Sequence, residues 1–386
     1  MIFDSVGWFT FLIVFAILAK SLWFFYYFML YAVKDVVYAP YNGKVAMIVP
    51  IFNEDEAILE QTIKRVKAAE GIHEVIYVND GSTNNAKAIL DRYNGGDYTI
   101  VELKENRGKR VAQFEGMKNI SPDIDVVVFM DSDTLLLRNS ITELVKPMNE
   151  ESIGGVTACI KVANREKGLL TKSIAAMYWS ASNIWRKAPS KVGYMQVTNG
   201  QLSCYRTELL WKLMPGYTDQ VFMGRKCTLS DDRYITHYLQ TEFGKKIVYA
   251  EKAVAFTVVP ETLQKAYKMF LRWKLGSIRE ALLIGRKIRK KPLLVVDVWA
   301  NHLIALFQTI VRIAILIIAV RNPVILVYYF GIILIVSLMF ALDMIVKNIK
   351  EVPYRILFSI LDEVYFRWVF LHALFTIRNQ NNWGTR

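Results

Sequence analysis

The sequence predicts an α/β domain with a mostly parallel sheet, seated on membrane-spanning and amphipathic interface helices. Three observations carry this reading. Between residues 44 and 260, short continuously apolar runs alternate with stretches of helical spacing, the pattern of strands covered on both faces by helices. Long apolar stretches lie on either side of that region, and positive charge clusters beside them in a chain whose net charge is +13.

Composition agrees. The 386 residues are 53% hydrophobic with a mean hydropathy of +0.24. They include 9 Trp, 20 Tyr and 21 Phe, which excludes disordered, collagen-like and mini-protein classes. Cys159, Cys204 and Cys227 lack CxxC spacing, so neither a disulfide scaffold nor a zinc site is indicated, and a reducing compartment fits.

Residues 1–43 hold an almost wholly apolar stretch, 6–33, which as a helix would reach roughly 40 Å, more than a bilayer's hydrocarbon core. No basic segment precedes Val6 and the stretch is long, so it reads as an anchor rather than a cleaved leader. Within 44–260, strands are expected at 45–51, 74–78, 98–102 and 125–129, with a helix at 58–69 and a loop at 79–85. Binding loops of such a sheet gather at the carboxyl ends of its strands.

Residues 261–292 are amphipathic and basic, ending in five positive charges among the six residues 286–291. Residues 293–346 contain two apolar stretches, 293–320 and 323–346, joined at Arg321-Asn322-Pro323, and are expected to form two transmembrane helices. In 347–386 the hydrophobic segment 354–377 carries Asp362, Glu363, Arg367 and His372, too many charges for a span, so it is expected to lie in the interface. The basic clusters flank one side of the helical pair, which makes that side, and the α/β domain, cytosolic in a multi-pass protein of the cell membrane. Their position beside a span favours membrane lipid as the partner over nucleic acid.

Five constellations carry chemistry. Asp80, followed by Gly81-Ser82-Thr83 at a strand end, suits a fixed acceptor for a base or ribose, although Asp-Gly is also an ordinary turn. Asn106-Arg107-Gly108-Lys109-Arg110 places three cations before a helix, either a diphosphate neighbour or a solvated basic loop. Asp131-Ser132-Asp133 sets two carboxylates at i, i+2 after an apolar strand, a pattern that holds a hard divalent cation such as Mg²⁺ or Mn²⁺. Ser230-Asp231-Asp232-Arg233 is a second acid pair from which one member could take a hydroxyl proton. Arg272-Trp273 adds a guanidinium and a flat ring, suited to a diphosphate and a sugar face, or to a membrane-interface anchor.

In this order, Asp80, Asp131-Ser132-Asp133, Asp231-Asp232-Arg233 and Arg272-Trp273 resemble the signature of processive, inverting, membrane-bound glycosyltransferases with a Rossmann-like GT-A domain, and within that class most resemble hyaluronan synthases. Residues 106–113, 226–236 and Trp383-Gly384-Thr385-Arg386 support the likeness, the last resembling that family's gating-loop motif. The resemblance implies UDP-sugar donors and a growing polysaccharide acceptor. It implies Asp232, with Asp231 beside it, as general base, and Asp131 and Asp133 as ligands of nucleotide and metal. Asp80, Lys109, Arg110 and Arg233 would serve the donor; Asn199, Gly200 and Cys227 would line the sugar pocket. Arg272 would hold diphosphate, Trp273 would meet the acceptor, and Trp383 and Arg386 would belong to the gate. Three departures bear on sugar choice: Met269 replaces the glutamine of the family's QxxRW motif, Thr198-Asn199-Gly200-Gln201-Leu202 replaces a Cys-Ser-Gly-Pro-Leu-like run, and Ser230 replaces a glycine. The same signature fits a chitin or glucose/glucuronate capsule synthase and a non-processive lipid glycosyltransferase.

Overall fold

The computed structural model describes residues 18, 21–22, 25–93, 98–287 and 289–378. Much of the apolar stretch 6–33, together with Trp383 and Arg386, lies outside the described residues.

Eight strands form one sheet: β1 (Val45–Ile51), β2 (Glu74–Asn79), β3 (Tyr98–Glu102), β4 (Val126–Met130), β5 (Leu135–Leu136), β6 (Ile153–Val162), β7 (Leu202–Arg206) and β10 (Lys246–Thr257). Their order is β3-β2-β1-β4-β7-β6-β10-β5, and β8 (Val221–Phe222) pairs with β9 (Arg225–Lys226) in a separate ribbon. Every residue of β1 and of β4 is buried, as continuous apolar runs require when both faces are covered. Val45, Met47, Val49 and Ile51 face one layer with Leu59, Ile63 and Val66 of the helix Glu56–Ala68. Ala46 and Ile48 face the other, with Ala112 and Met117 of the helix Lys109–Met117 and Leu209 and Leu213 of the helix Thr207–Thr218.

The expectation of a mostly parallel sheet holds for β3-β2-β1-β4 and for β6 beside β10, but β7 runs antiparallel to both β4 and β6, and β5 antiparallel to β10. The reason is the path of the chain. A parallel neighbour needs a crossover that returns to the strand's starting end. Here residues 163–201 run down beside β10, where Gly193 O accepts from Ile247 N–H, and come back to Asn199 beside Thr157, so that β7 enters with Leu202 opposite Met130. That detour places Asn199, Gly200 and Gln201 beside the end of β4.

The helix Leu263–Ile284 follows the sheet, then come helices at Pro292–Ala319, Val324–Phe340, Leu342–Lys347, Val352–Leu361 and Trp368–Thr376. Among the described residues one helix, Pro292–Ala319, is long and apolar enough to cross a membrane; its 28 residues reach about 42 Å. Val324–Phe340 is apolar but has 17 residues, because the expected second stretch breaks at Ala341. Nor is 354–377 one continuous helix. It is interrupted by a π-helical turn at Asp362–Phe366, where Asp362 pairs with Arg367 at 2.5 Å and Glu363 pairs with Arg312. Turning these carboxylates onto cations satisfies them internally, which a straight helix with a polar stripe would leave to solvent.

A polar network ties these helices to the sheet. Tyr27 Oη donates to both oxygens of Asp297, at 3.0 and 2.9 Å, and Gln196 Nε2 donates to Asp297 at 2.5 Å. Asp297 sits near the start of Pro292–Ala319, and Gln196 precedes Asn199 and Gly200.

Helix Lys109–Met117 lies so close to the sheet that a Cβ on Gly116 would come within 2.5 Å of Ile48 Cγ2 and 3.1 Å of Val78 Cγ2. Gly116→Ala is therefore expected to lower unfolding stability by about 1–3 kcal/mol through overpacking. A thermal unfolding midpoint equal to that of the parent protein would refute this close packing.

Candidate active site

The carboxyl ends of β4 and β2, the start of the helix Lys109–Met117 and the start of the helix Asp231–Thr241 meet around one buried cation. Lys109 Nζ lies 2.6 Å from Asp131 Oδ1 and 2.8 Å from Asp231 Oδ2. Burial alone would lower its pKa, but these two carboxylates outweigh that and hold the ammonium charged. Lys109 owes its placement to the loop before it. Both carboxylate oxygens of Asp80 accept backbone N–H bonds, from Arg107 and from Gly108, each at 2.8 Å. Gly81 adopts φ +67, and a Cβ there would lie 2.4 Å from the backbone carbon of Glu105, so only glycine lets the two loops meet.

The adjacent acids at the helix start acquire different characters. Burial would raise the pKa of Asp231, yet the charge of Lys109 pulls it below the ordinary value, so Asp231 stays ionised. Among the described residues no cation is bonded to Asp232 in this way. Burial, and then the negative charge of Asp231, push it up to about 6, against the partial relief of Arg233. Its Oδ1 accepts the Arg233 backbone N–H at 2.8 Å, and Gly200 leaves its other oxygen open, since even a Cβ there would stand 3.6 Å from Oδ2.

These groups face a cavity of about 210 Å³, whose lining includes Lys109, Asp131, Asp231, Asp232, Arg233, Asn199, Gly200, Arg272 and Trp273. Asn199 is fixed there by its side-chain bond to the Ala158 carbonyl at 2.6 Å and its backbone bond to Thr157 Oγ1 at 2.7 Å. Trp273 is held edge-on by Phe270 at 5.4 Å and Tyr178 at 6.2 Å between ring centroids. Met269, one turn earlier, is buried.

Other residues singled out in the sequence stand behind the cavity. Arg110 turns both terminal nitrogens into the protein: they bond the carbonyls of Tyr217, Leu229 and Ser230 and the Gln220 side chain, at 2.8–3.1 Å. Cys227 is buried beside Arg279, and burial raises its thiol pKa. Asp80 serves the loop just described. Asp133 is buried, approaches Thr257 Oγ1 at 3.5 Å, and raises the pKa of Asp131 by its charge. Two lining residues carried no sequence signal: Tyr178, and Arg186 on the π-helical turn Ala181–Arg186. The Nε of Arg186 is buried without a hydrogen-bond partner.

Residues 46–214 match the family described as Glycosyl transferase family 2. Over 358 residues the chain is 30% identical to an N-acetylglucosaminyltransferase of Azorhizobium caulinodans, spanning 90% of this chain and 88% of that one. It is 32% identical over 359 residues to a hyaluronan synthase of Streptococcus pyogenes, spanning 90% and 84%. The chain belongs to glycosyltransferase family 2. Its architecture matches that of the mannosyltransferase PcManGT from Pyrobaculum calidifontis, solved with GDP-Man and Mn²⁺, with a TM-score of 0.71 over 97% of this chain and 99% of that one at 19% identity. The fold of this transferase is thus of the GT-A type, and the chain is a glycosyltransferase.

The transferase carries one unusual backbone position at the site. Ser230, just before Asp231, has φ +57, a left-handed conformation that costs a side-chain-bearing residue energy. Across from it, a Cβ on Gly276 would lie 1.5 Å from Ser230 Oγ and 2.6 Å from its Cβ. Gly276→Ala should destabilise the transferase by about 1–3 kcal/mol, and adding Ser230→Gly should restore most of that loss. Unfolding midpoints of the two single variants and the double variant test the contact; strictly additive effects would show that the two residues do not meet.

Proposed function

We propose that this transferase is a membrane-embedded, processive, inverting polysaccharide synthase that adds sugars from UDP-sugar donors to a growing β-linked polymer and passes it outward, the polymer being hyaluronan. The arrangement that carries the reading is the splitting of the adjacent acids: Lys109 holds Asp231 ionised while Asp232, with its pKa raised to about 6, faces the open cavity. Such a group is suited to take the proton of an acceptor hydroxyl as that oxygen attacks the anomeric carbon. Arg272 then faces the departing diphosphate, with Arg186 and Arg233 adding positive charge, and Trp273 offers its ring to the acceptor sugar. Asp80 would set the nucleotide side of the site through the loop it fastens.

Asp131 and Asp133 offer hard oxygen ligands, although among the described residues no group of three or more His, Cys, Asp or Glu stands ready to hold a metal. That fits Mg²⁺ or Mn²⁺ held by one or two carboxylates together with the donor's own phosphates. When bound, the ion would offset diphosphate charge.

Membrane seating is supported by the helix Pro292–Ala319, which exposes Leu293, Val296, Leu303, Ile310, Ile313 and Ile317, and by the basic residues that precede it. The choice of donors follows the N-acetylglucosaminyltransferase and hyaluronan synthase relatives, and the surplus of cations lining the cavity suits a uronate.

Purified protein given UDP-N-acetylglucosamine and UDP-glucuronate together should make one high-molecular-mass product that hyaluronidase degrades. The reaction should stop in EDTA and resume with Mg²⁺ or Mn²⁺. Incorporation of N-acetylglucosamine alone would reassign the product to chitin, and glucose with glucuronate to a capsule polymer. Asp232→Asn should lower turnover about 10²-fold or more while UDP affinity changes little. Because the base works deprotonated, the parent's kcat/KM should fall as pH drops through about 6; a flat profile from pH 5 to 8 would remove Asp232 from that role.

A further inference from the structure

Arg186 enters the catalytic cavity from the π-helical turn Ala181–Arg186, outside every motif of the family signature. It makes no hydrogen bond or ion pair among the described residues, and its Nε is buried. Burial lowers its pKa, and among the groups that oppose this the carboxylate is Asp232, at a separation that forms no ion pair. A guanidinium left so in a low-dielectric wall is costly until an anion meets it. The substrates proposed above bring two kinds of anion: the donor's diphosphate and the carboxylate of a uronate.

Position separates the two. The diphosphate belongs with Arg272 and with the Asp131 and Asp133 carboxylates, whereas the acid whose charge bears on Arg186 is Asp232, where the acceptor hydroxyl must stand. Tyr178 joins Arg186 to the acceptor side. Burial raises the Tyr178 pKa, so its hydroxyl keeps a proton to donate, and the charge of Arg186 is the largest opposing influence, ahead of that of Arg272. The same ring meets Trp273 edge-on, 6.2 Å between centroids. Guanidinium, phenol and indole thus follow one another along the wall that the acceptor sugar would face.

We infer that Arg186, with the Tyr178 hydroxyl beside it, binds the carboxylate of a uronate at the acceptor end of the polymer and so selects acidic chain ends for the next addition. A planar guanidinium pairs with a carboxylate through two parallel N–H bonds, which a neutral hexose cannot supply. The inference rests on the polymer reading proposed above and deepens it, assigning recognition of the acid to the acceptor rather than to the donor.

The test uses nascent polymer held on the purified protein. Withholding UDP-N-acetylglucosamine leaves polymer ending in glucuronate, and withholding UDP-glucuronate leaves polymer ending in N-acetylglucosamine. Supplying the missing donor in radiolabelled form then reads one addition at a time. Arg186→Gln should slow addition of N-acetylglucosamine to the acidic end by about 10²-fold, and by at least about tenfold more than it slows the reciprocal addition, which also reports that the variant is folded. Arg186→Lys should recover about tenfold of the loss, since it restores the charge without the fork. Both additions expel the same diphosphate, so equal losses would place Arg186 on the leaving group and overturn the inference. A greater loss in adding glucuronate would place it on the donor's acid and overturn it as well. A parent protein that incorporates no glucuronate removes the polymer reading, and this inference with it, whereas a parent that alternates both sugars beside an Arg186→Gln variant with no bias between the two additions counts against Arg186 alone.

Discussion

Lys109 Nζ, buried between Asp131 and Asp231, is the contact on which the rest of the site depends. It joins three elements that the chain reaches at widely separated points: the end of β4, the helix Lys109–Met117 and the helix Asp231–Thr241. Removing one partner of such a buried group leaves charge uncompensated in a low-dielectric interior, at a cost of about 3–5 kcal/mol. The same contact decides which of two adjacent aspartates is free. With its ammonium committed to Asp231, the pair is electrostatically unequal before any substrate arrives.

Buried polar bonds extend this rigidity outward. Arg110 and Arg279 both hold the carbonyl of Leu229, immediately ahead of the left-handed Ser230. On the other side, Gln240 bonds the backbone of Met195 in both directions, Thr236 Oγ1 accepts from Thr198 N–H, and His237 Nε2 reaches the Gln196 carbonyl. One helix therefore carries the acids on its first turn and fixes the opposing segment with its later turns. A site built this way keeps its geometry because the side chains behind it are themselves held by buried hydrogen bonds.

The sheet's first half was legible because the strands at 45–51, 74–79 and 126–130 are uninterrupted apolar runs that end in acids and turn residues. The direction of β7 was not, since strand polarity depends on where the intervening chain travels, and residues 163–201 carry no local mark of their path beside β10 and back. Arg110 turns away from the cavity that Lys109 lines. Consecutive helical residues diverge by about 100°, so Lys109 and Arg110 could not both face one cavity. Arg186 was out of reach by comparable reasoning: it enters the cavity from a π-helical turn, whose widened register no hydrophobic period reveals. Cys227 belongs to the buried Arg279 cluster, a tertiary arrangement its neighbours in the chain do not specify. Asp362 and Glu363 were read as too costly for a span, and their pairing with Arg367 and Arg312 is how the fold meets that cost.

The bond from Gln196 to Asp297 bears on where this protein can be divided. A boundary drawn after β10 would look natural on the sheet alone, yet it would separate both Tyr27 and the segment leading to Asn199 and Gly200 from the carboxylate that holds them. The catalytic half is consequently not a module bolted to an anchor. Its far wall is moored by an apolar helix, and excising the soluble-looking portion would remove part of the scaffold that gives the cavity its shape.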